Sequence, residues 1–213
     1  METGDLIRAL QADAGRRRAL SLDGIWLLAL AVAAAAAAIS FFVLLSPRED
    51  LSTAIGSVRF LAKFVYAGLL LATAWIAVRI LSRPEGSLRQ VLPLLAAAPV
   101  LLLAAAVLEL AVLPQADWGA RWIGRNARWC MLCIPLIGLA PLGLLLLALR
   151  EGAPSRSGQA GAVAGLVAGG LGALFYAVHC PDDSPLFVAT WYTIAVAVMA
   201  LIGALGGRII ARW

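Results

Sequence analysis

Six continuous apolar runs constrain the fold of this chain more than any other feature of its sequence. A helix needs about 20 apolar residues to cross a hydrocarbon core of roughly 30 Å. A transmembrane barrel strand would instead alternate over about ten residues, and these runs are unbroken and rich in Ala and Leu. We therefore predict an all-α polytopic membrane protein, a bundle of six transmembrane helices over residues 25–45, 60–81, 91–113, 129–149, 159–178 and 186–205.

Composition and charge agree with a membrane location. Apolar residues make up 62% of the chain and charged residues 14%, far from the mixture of a soluble domain. Short basic connections tend to remain in the cytoplasm, and eleven of the seventeen basic residues fall on the side of the amino terminus. We therefore expect both termini in the cytoplasm, and we attribute the net charge of +5 to topology and lipid contact, with no direct nucleic-acid binding.

The first 24 residues form a leader with the pattern of a short amphipathic helix. Asp5 lies in its first turn, and Leu6, Ile7 and Leu10 share one face. A helix of this length is unstable alone in water, so it should order on a partner or on the membrane surface. The alternative is a basic anchor with no partner. The chain then divides into leader 1–24, transmembrane domain 25–207 and cytoplasmic tail 208–213.

Two ionisable residues lie inside apolar runs at matching depth. Lys63 is close to the start of the second run and Glu109 is close to the end of the third, which the six-helix topology places on the same side. Unpaired charges in lipid would each cost several kcal/mol. We therefore predict an intramembrane ion pair between Lys63 and Glu109, with either a structural or a functional role.

All three cysteines fall in the same predicted layer. Cys130 and Cys133 open the fourth run, and Cys180 follows His179 after the fifth. Cys180 could form a disulfide with Cys130 or with Cys133, which would join the fourth helix to the next loop. Alternatively, the thiolates and His179 could hold a soft or borderline divalent metal ion. The residue spacing leaves both chemistries open.

Glycines recur at four-residue spacing in the fifth run, at Gly161, Gly165 and Gly169. Small residues in this pattern allow two helix backbones to approach closely. The fifth helix is therefore expected either at the centre of the bundle or at the face of a homodimer.

Several stretches resemble the NrsF-type membrane anti-sigma factors, which are small six-helix proteins of proteobacteria. The resemblance covers essentially the whole chain. Its most specific part is HCPDDSPLFVATWY, and the others are DLIRALQAD in the leader, RFLAKF in the second run, a cysteine followed by IPL in the fourth, and REGAPSR after it.

The resemblance implies a non-enzymatic protein of the bacterial inner membrane that sequesters an extracytoplasmic-function sigma factor through its leader. The face formed by Asp5, Leu6, Ile7 and Leu10 would then contact the sigma factor. Negative regulation of transcription and a stress response follow from this function.

The resemblance also implies a cysteine sensor of oxidant or heavy-metal stress on the periplasmic side. Cys180 matches the loop cysteine of the family, and Cys130 matches the cysteine four residues before IP. Cys133 is an addition in this sequence, so its role is left open.

Two other classes of function compete with this interpretation. The Cys130–Cys133 pair resembles the CxxC of DsbB-type thiol-disulfide oxidoreductases, but those enzymes need a second pair and only Cys180 is left. A small transporter would explain the charges at Lys63 and Glu109, although they lie near a membrane edge and not at the midplane. A purely structural membrane protein is the remaining possibility.

Overall fold

The computed structural model describes residues 3–5, 7–8 and 21–210. The described part of the chain is all-helical, and six of its helices are long and apolar enough to cross a membrane. The predicted all-α six-helix bundle is thereby confirmed. The helices are α1 (Leu22–Leu44), α2 (Leu51–Ala54), α3 (Val58–Leu81), α4 (Leu88–Val112), α5 (Gln115–Ile123), α6 (Ala127–Arg150), α7 (Ser157–His179), α8 (Pro185–Phe187), the π-helix Val188–Tyr192 and α9 (Thr193–Ile210).

Capping sets the start of α1. Ser21 precedes the helix, and its Oγ accepts a hydrogen bond of 3.2 Å from the backbone N–H of Gly24. Such a cap satisfies a backbone donor that would otherwise lack a partner. The helix therefore begins at Leu22, three residues before the apolar run and within the predicted leader.

Within the leader, residues 3–5 and 7–8 are helical and exposed. Asp5 and Ile7 belong to this part, and Ile7 is 50% exposed. Leu6 and Leu10 lie outside the described residues. The sigma-binding face stays a prediction.

Contacts between the helix ends define two opposite ends of the bundle. At the amino end, Asp23 of α1 binds Arg79 and Arg83 of α3 at 2.7 and 3.3 Å. Trp26 of α1 donates its indole N–H to Ser82 at 3.1 Å. At the other end, which we call the cysteine end, Lys63 at the start of α3 reaches the residues that follow α7.

Helix α7 occupies the centre of the bundle and packs against α3, α6 and α9. A Cβ atom on Gly161 would overlap the carbonyl of Gly203, and one on Gly165 would overlap the carbonyl of Met199. The glycine pattern thus brings α7 and α9 into backbone contact within one chain. Formation of a homodimer stays a prediction.

A π-helical turn interrupts the last transmembrane segment at Val188–Tyr192. It follows a sharp start, in which Ser184 takes the N-cap position and Pro185 the first helical position. Thr190 and Trp191 exchange hydrogen bonds with Trp122 of α5 at 2.8 and 3.0 Å. Turns of this kind occur frequently at functional sites.

We predict that Gly165→Ala lowers the thermal stability of the purified protein, because the added methyl group forces α7 and α9 apart. The expected loss is about 2 kcal/mol. Gly143→Ala on α6 is the matched control, since nothing lies within 4 Å of a Cβ atom there. Thermal unfolding in one detergent compares the two variants. Equal melting temperatures would contradict the packing described above.

Candidate functional site

Two of the three cysteines meet at the cysteine end. Cys130 lies in the first turn of α6, and Cys180 directly follows α7. Both are free thiols with 0% exposure. The two thiols are neighbours, and each affects the ionisation of the other. Of the two pairings that the sequence left open, the geometry therefore favours Cys130 with Cys180.

Asp182 holds the two cysteine-bearing segments in register. Its Oδ2 accepts hydrogen bonds from the backbone N–H groups of Arg125 and Asn126 at 3.0 and 2.9 Å, and from Asn126 Nδ2 at 3.0 Å. A carboxylate at a helix amino terminus satisfies free N–H groups and complements the helix dipole. Asp182 thus ties residues 180–184, which we call the cysteine loop, to the start of α6.

The turn before α6 makes room for this contact. Gly124 has a φ of 59° and a ψ of −167°, a conformation available essentially only to glycine. A Cβ atom at this position would collide with the Phe187 ring and meet the Asp182 carboxyl carbon at 3.0 Å. Gly124 therefore lets the chain pass close to the cysteine loop.

Lys63 enters the cysteine loop from α3, and all three of its N–H groups are used there. Its Nζ lies 2.8 Å from the carbonyl oxygen of Cys180, 3.4 Å from that of Asp182 and 2.5 Å from Oδ1 of Asp183. The predicted ion pair between Lys63 and Glu109 is therefore wrong. Both residues are buried at the cysteine end, but a carboxylate in the loop is closer to Lys63.

Glu109 has its own set of partners. Its Oε2 accepts hydrogen bonds from the Ser184 hydroxyl at 2.6 Å and from the Leu186 N–H at 3.1 Å. Arg59, one turn before Lys63 on α3, lies 3.2 Å from Oε1. Glu109 therefore fixes the end of the cysteine loop and the start of the last segment.

Arg48, in the connection after α1, completes the ionic network. Its guanidinium binds Asp183 at 3.0 Å and Asp50 at 2.6 Å, and reaches the carbonyl of Cys180 at 3.5 Å. Both Lys63 and Arg48 thus face the same loop carboxylate. Buried ion pairs of this kind stabilise a structure only when both partners are present.

The hydrogen bond of His179 is with a backbone carbonyl and not with a thiol. Its Nδ1 lies 2.7 Å from the carbonyl of Ser46, and because a carbonyl only accepts, Nδ1 carries the proton. Within residues 21–210, no group of three or more His, Cys, Asp or Glu side chains is spaced to hold a metal ion. The proposed metal set of Cys130, Cys133, His179 and Cys180 thus finds no such arrangement in the structure.

Cys133 lies one turn further along α6 and is also buried. Its thiol has no hydrogen-bond partner in the described part of the chain. It therefore stands beside the pair without taking part in it.

Two buried tyrosines enclose the pair. The rings of Tyr176 on α7 and Tyr192 at the end of the π-helix lie 5.9 Å apart and are fully buried. Their hydroxyl groups lie beside Cys130 and Cys180, respectively. Neither hydroxyl completes a well-directed hydrogen bond in the described residues. The pair is thus buried beside two tyrosine hydroxyl groups that could still donate a hydrogen bond.

The electrostatic environment differs between the two thiols. The hydrogen bond from Cys130 and the positive charge of Lys63 lower the pKa of the Cys180 thiol below its ordinary value, against the effect of burial. Thiolates are the reactive form of cysteine. Cys180 is therefore the member of the pair that is biased towards ionisation.

Sequence reasoning missed Arg48, Arg59, Asp182 and Asp183 as partners in this site. The signal that could have found them is the acidic pair next to Cys180, which stands at the same membrane edge as the basic residues of α3. Charges that meet in an apolar layer should be paired with one another.

Comparison with known proteins places the chain in a family. Residues 10–213 match the family described as NrsF, Negative regulator of sigma F. The chain is 36% identical over 214 residues to the Anti-sigma-F factor NrsF of Caulobacter vibrioides, and 32% identical over 214 residues to the Probable anti-sigma-F factor NrsF of Azospira oryzae. Each alignment covers 100% of both chains. No solved structure matches the chain.

The family is regulatory and not enzymatic, so the chain is not a thiol-disulfide oxidoreductase of the DsbB type. The burial of Cys130 and Cys180 agrees, because an oxidoreductase must expose its disulfide to a partner thiol. From its length, its helices and these similarities, this chain belongs to the NrsF family of negative regulators of sigma F.

Proposed function

We propose that this protein holds a sigma factor at the bacterial inner membrane and releases it when Cys130 and Cys180 form a disulfide. Both termini lie in the cytoplasm in this proposal, and the cysteine end faces the periplasm. The observation that carries it is the meeting of the two buried thiols across α6 and the cysteine loop. The names of the relatives, both anti-sigma-F factors, support a sigma factor as the partner.

The leader is the proposed binding segment. The leader is short, with 24 residues before the first predicted apolar run. An amphipathic helix can nevertheless place its apolar face in the groove of a partner, through residues at helical spacing. Leu6, Ile7 and Leu10 have that spacing, and Asp5 supplies a charge in the first turn.

Oxidation is the proposed signal. Two thiols lose two electrons and two protons when a disulfide forms, and hydrogen peroxide accepts both and becomes two molecules of water. A disulfide holds its sulfur atoms at about 2.05 Å, closer than two thiols in contact. Formation of the disulfide must therefore move the start of α6 and the cysteine loop towards each other.

A mechanical connection runs from the cysteine loop to the leader through α3. Lys63 binds the cysteine loop at one end of this helix, and Arg79 and Arg83 bind Asp23 at the other. Lys63 and Arg79 are about 24 Å apart along the helix axis, at a rise of 1.5 Å per residue. Asp23 lies at the end of the leader, so a movement of α3 changes the position of the segment that binds the sigma factor.

The disulfide can release the sigma factor only if it favours a packing of the bundle that binds the leader's partner less well. Helix α3 has one set of ionic contacts at each end, with the cysteine loop and with Asp23. Each set can either be kept or be lost. This is the kind of element that a chemical event can switch.

We predict that Cys130→Ser and Cys180→Ser each abolish release by hydrogen peroxide, because neither variant can form the bridge. Cys133→Ser is the matched control and should release as the unchanged protein does. The measurement is retention of the co-purified sigma factor on tagged protein in membranes, before and after oxidant. Release from either serine variant would remove the sensor part of the proposal.

We predict that deletion of residues 1–20 abolishes binding of the sigma factor. The deletion ends before Ser21, so the cap of α1 and the six-helix bundle remain. As a finer test, Ile7→Asp should weaken binding by about 2 kcal/mol, roughly thirtyfold in Kd. Ala12→Asp, on the opposite face of the predicted helix, should leave binding unchanged. Retention of the sigma factor by the truncated protein would contradict the assignment.

We predict that Asp23→Asn leaves sigma binding and disulfide formation intact but reduces the fraction released. Exposed ion pairs contribute little to stability, so the variant should fold and its effect should fall on the connection between α1 and α3. Glu85→Gln, the same change at an exposed residue after α3, is the control. The release assay and a gel-shift measurement of the disulfide separate the two steps. Full release by Asp23→Asn would exclude this route.

A further inference from the structure

We propose that Cys180 is the thiol that reacts first with the oxidant, and that Lys63 is the positioning residue that prepares it for this step. Cys130 then resolves the product into the disulfide. This inference rests on the proposed function, since it assigns separate roles within the same cysteine pair.

The position of Lys63 is the main geometric support. The side chain is only 3% exposed, and its Nζ lies 2.8 Å from the backbone oxygen of Cys180. Its other contacts, the Asp182 oxygen and the Asp183 carboxylate, also belong to the cysteine loop. The Phe60 ring on the same helix lies 5.5 Å from the ammonium group, and the hydrogen bonds and ion pair of that group within the described residues are all to the cysteine loop. The positive charge of Lys63 is therefore directed at that loop.

The surroundings of the two sulfur atoms are unequal. The Cys180 thiol donates to the carbonyl oxygen of Asp182 at 3.9 Å, and the thiol of Cys130 and the hydroxyl of Tyr192 lie beside it. Cys130 has the hydroxyl of Tyr176 beside it and no cation. Negative charge is therefore better accommodated on Cys180.

The other charged groups around Cys180 do not reverse this difference. Arg48 adds a second cation at 3.5 Å from the Cys180 carbonyl, and the Asp183 carboxylate, which binds both cations, offsets part of their charge. Asp182 opposes ionisation, but its carboxylate is occupied by three N–H donors at the start of α6. The titratable or charged groups that face Cys180 are thus Lys63, Arg48, Cys130, Tyr176, Asp182, Asp183 and Tyr192.

The chemistry follows from this difference. The Cys180 thiolate attacks one oxygen atom of hydrogen peroxide, the O–O bond breaks, and a sulfenic acid and hydroxide form, the hydroxide taking up a proton. The Cys130 sulfur then attacks the sulfenic sulfur, the S–S bond forms, and a second water molecule leaves. One peroxide is reduced to two waters as two thiols are oxidised. Because both sulfur atoms are fully buried, a small neutral oxidant fits this site better than a protein disulfide.

The test uses the full-length Cys133→Ser protein in lipid nanodiscs. Brief pulses of methyl methanethiosulfonate are applied between pH 5 and pH 9, and mass spectrometry of peptides reports which cysteine is modified. We expect Cys180 to react faster than Cys130 and with a lower pH midpoint. A midpoint for Cys130 that is equal or lower would overturn the proposal.

Variants of Lys63 isolate its contribution. Lys63→Gln removes the charge, so the pKa of Cys180 should rise and its rate at pH 7 should fall about tenfold. Lys63→Arg keeps the charge and should restore most of that rate. Arg121→Gln is the matched control, because it removes an exposed positive charge on α5 at the same end of the bundle. An unchanged pH profile in Lys63→Gln would sink the assignment.

Two further measurements keep the outcomes separate. If Lys63→Gln does not fold, as judged by its thermal transition, the order of reaction of Cys180 and Cys130 and the Lys63→Arg profile still decide the proposal. Release of the sigma factor is followed on the same preparations. Loss of release with the expected pH profile would overturn the proposed function alone, and normal release with an unchanged profile would overturn this inference alone.

Discussion

The ammonium group of Lys63 is the interaction on which the cysteine end depends, because it is a buried charge that must be fully bonded. Its three N–H groups bind the carbonyls of Cys180 and Asp182 and the carboxylate of Asp183. A charge left without these partners in an apolar layer would be costly, and removal of one partner from a buried pair typically costs about 3–5 kcal/mol. The conformation of the cysteine loop is therefore tied to the position of α3, and the Cys180 sulfur is held where Cys130 can meet it.

Most of the fold could be predicted because hydropathy alone specifies it. Six apolar runs gave six helices, and the structure moves their ends by only a few residues. The differences come from local contacts such as the Ser21 cap, which starts α1 at Leu22. The hydropathy of a segment cannot predict a single hydrogen bond of this kind. The glycine pattern identified a close helix contact, but only the assembled bundle shows that α9 is the partner.

The sequence predicted the membrane layer in which the site lies. It predicted only part of the contacts between the residues of the site. Topology alone brought Cys130, Cys180, Lys63 and Glu109 to the same end. The partner of Lys63 could not be derived, because it is a carboxylate in a loop whose path has no periodicity. The choice of Cys130 over Cys133 depends on Asp182 at the start of α6, which favours the first turn of that helix. Where contacts between distant segments determine which residues pair, spacing along the chain is insufficient to predict the pairs.

The location of the cysteine pair also explains how a small chemical change could have a large structural effect. Cys180 ends α7, the helix that packs against α3, α6 and α9. At Gly161 and Gly165 the backbones of α7 and α9 are too close to accommodate a Cβ atom. Close-packed interfaces of this kind change between discrete arrangements and deform little continuously. Under the proposed function, a movement of Cys180 would act on the helices that pack against α7, and the contacts of α3 with Asp23 would offer it a route to the opposite end.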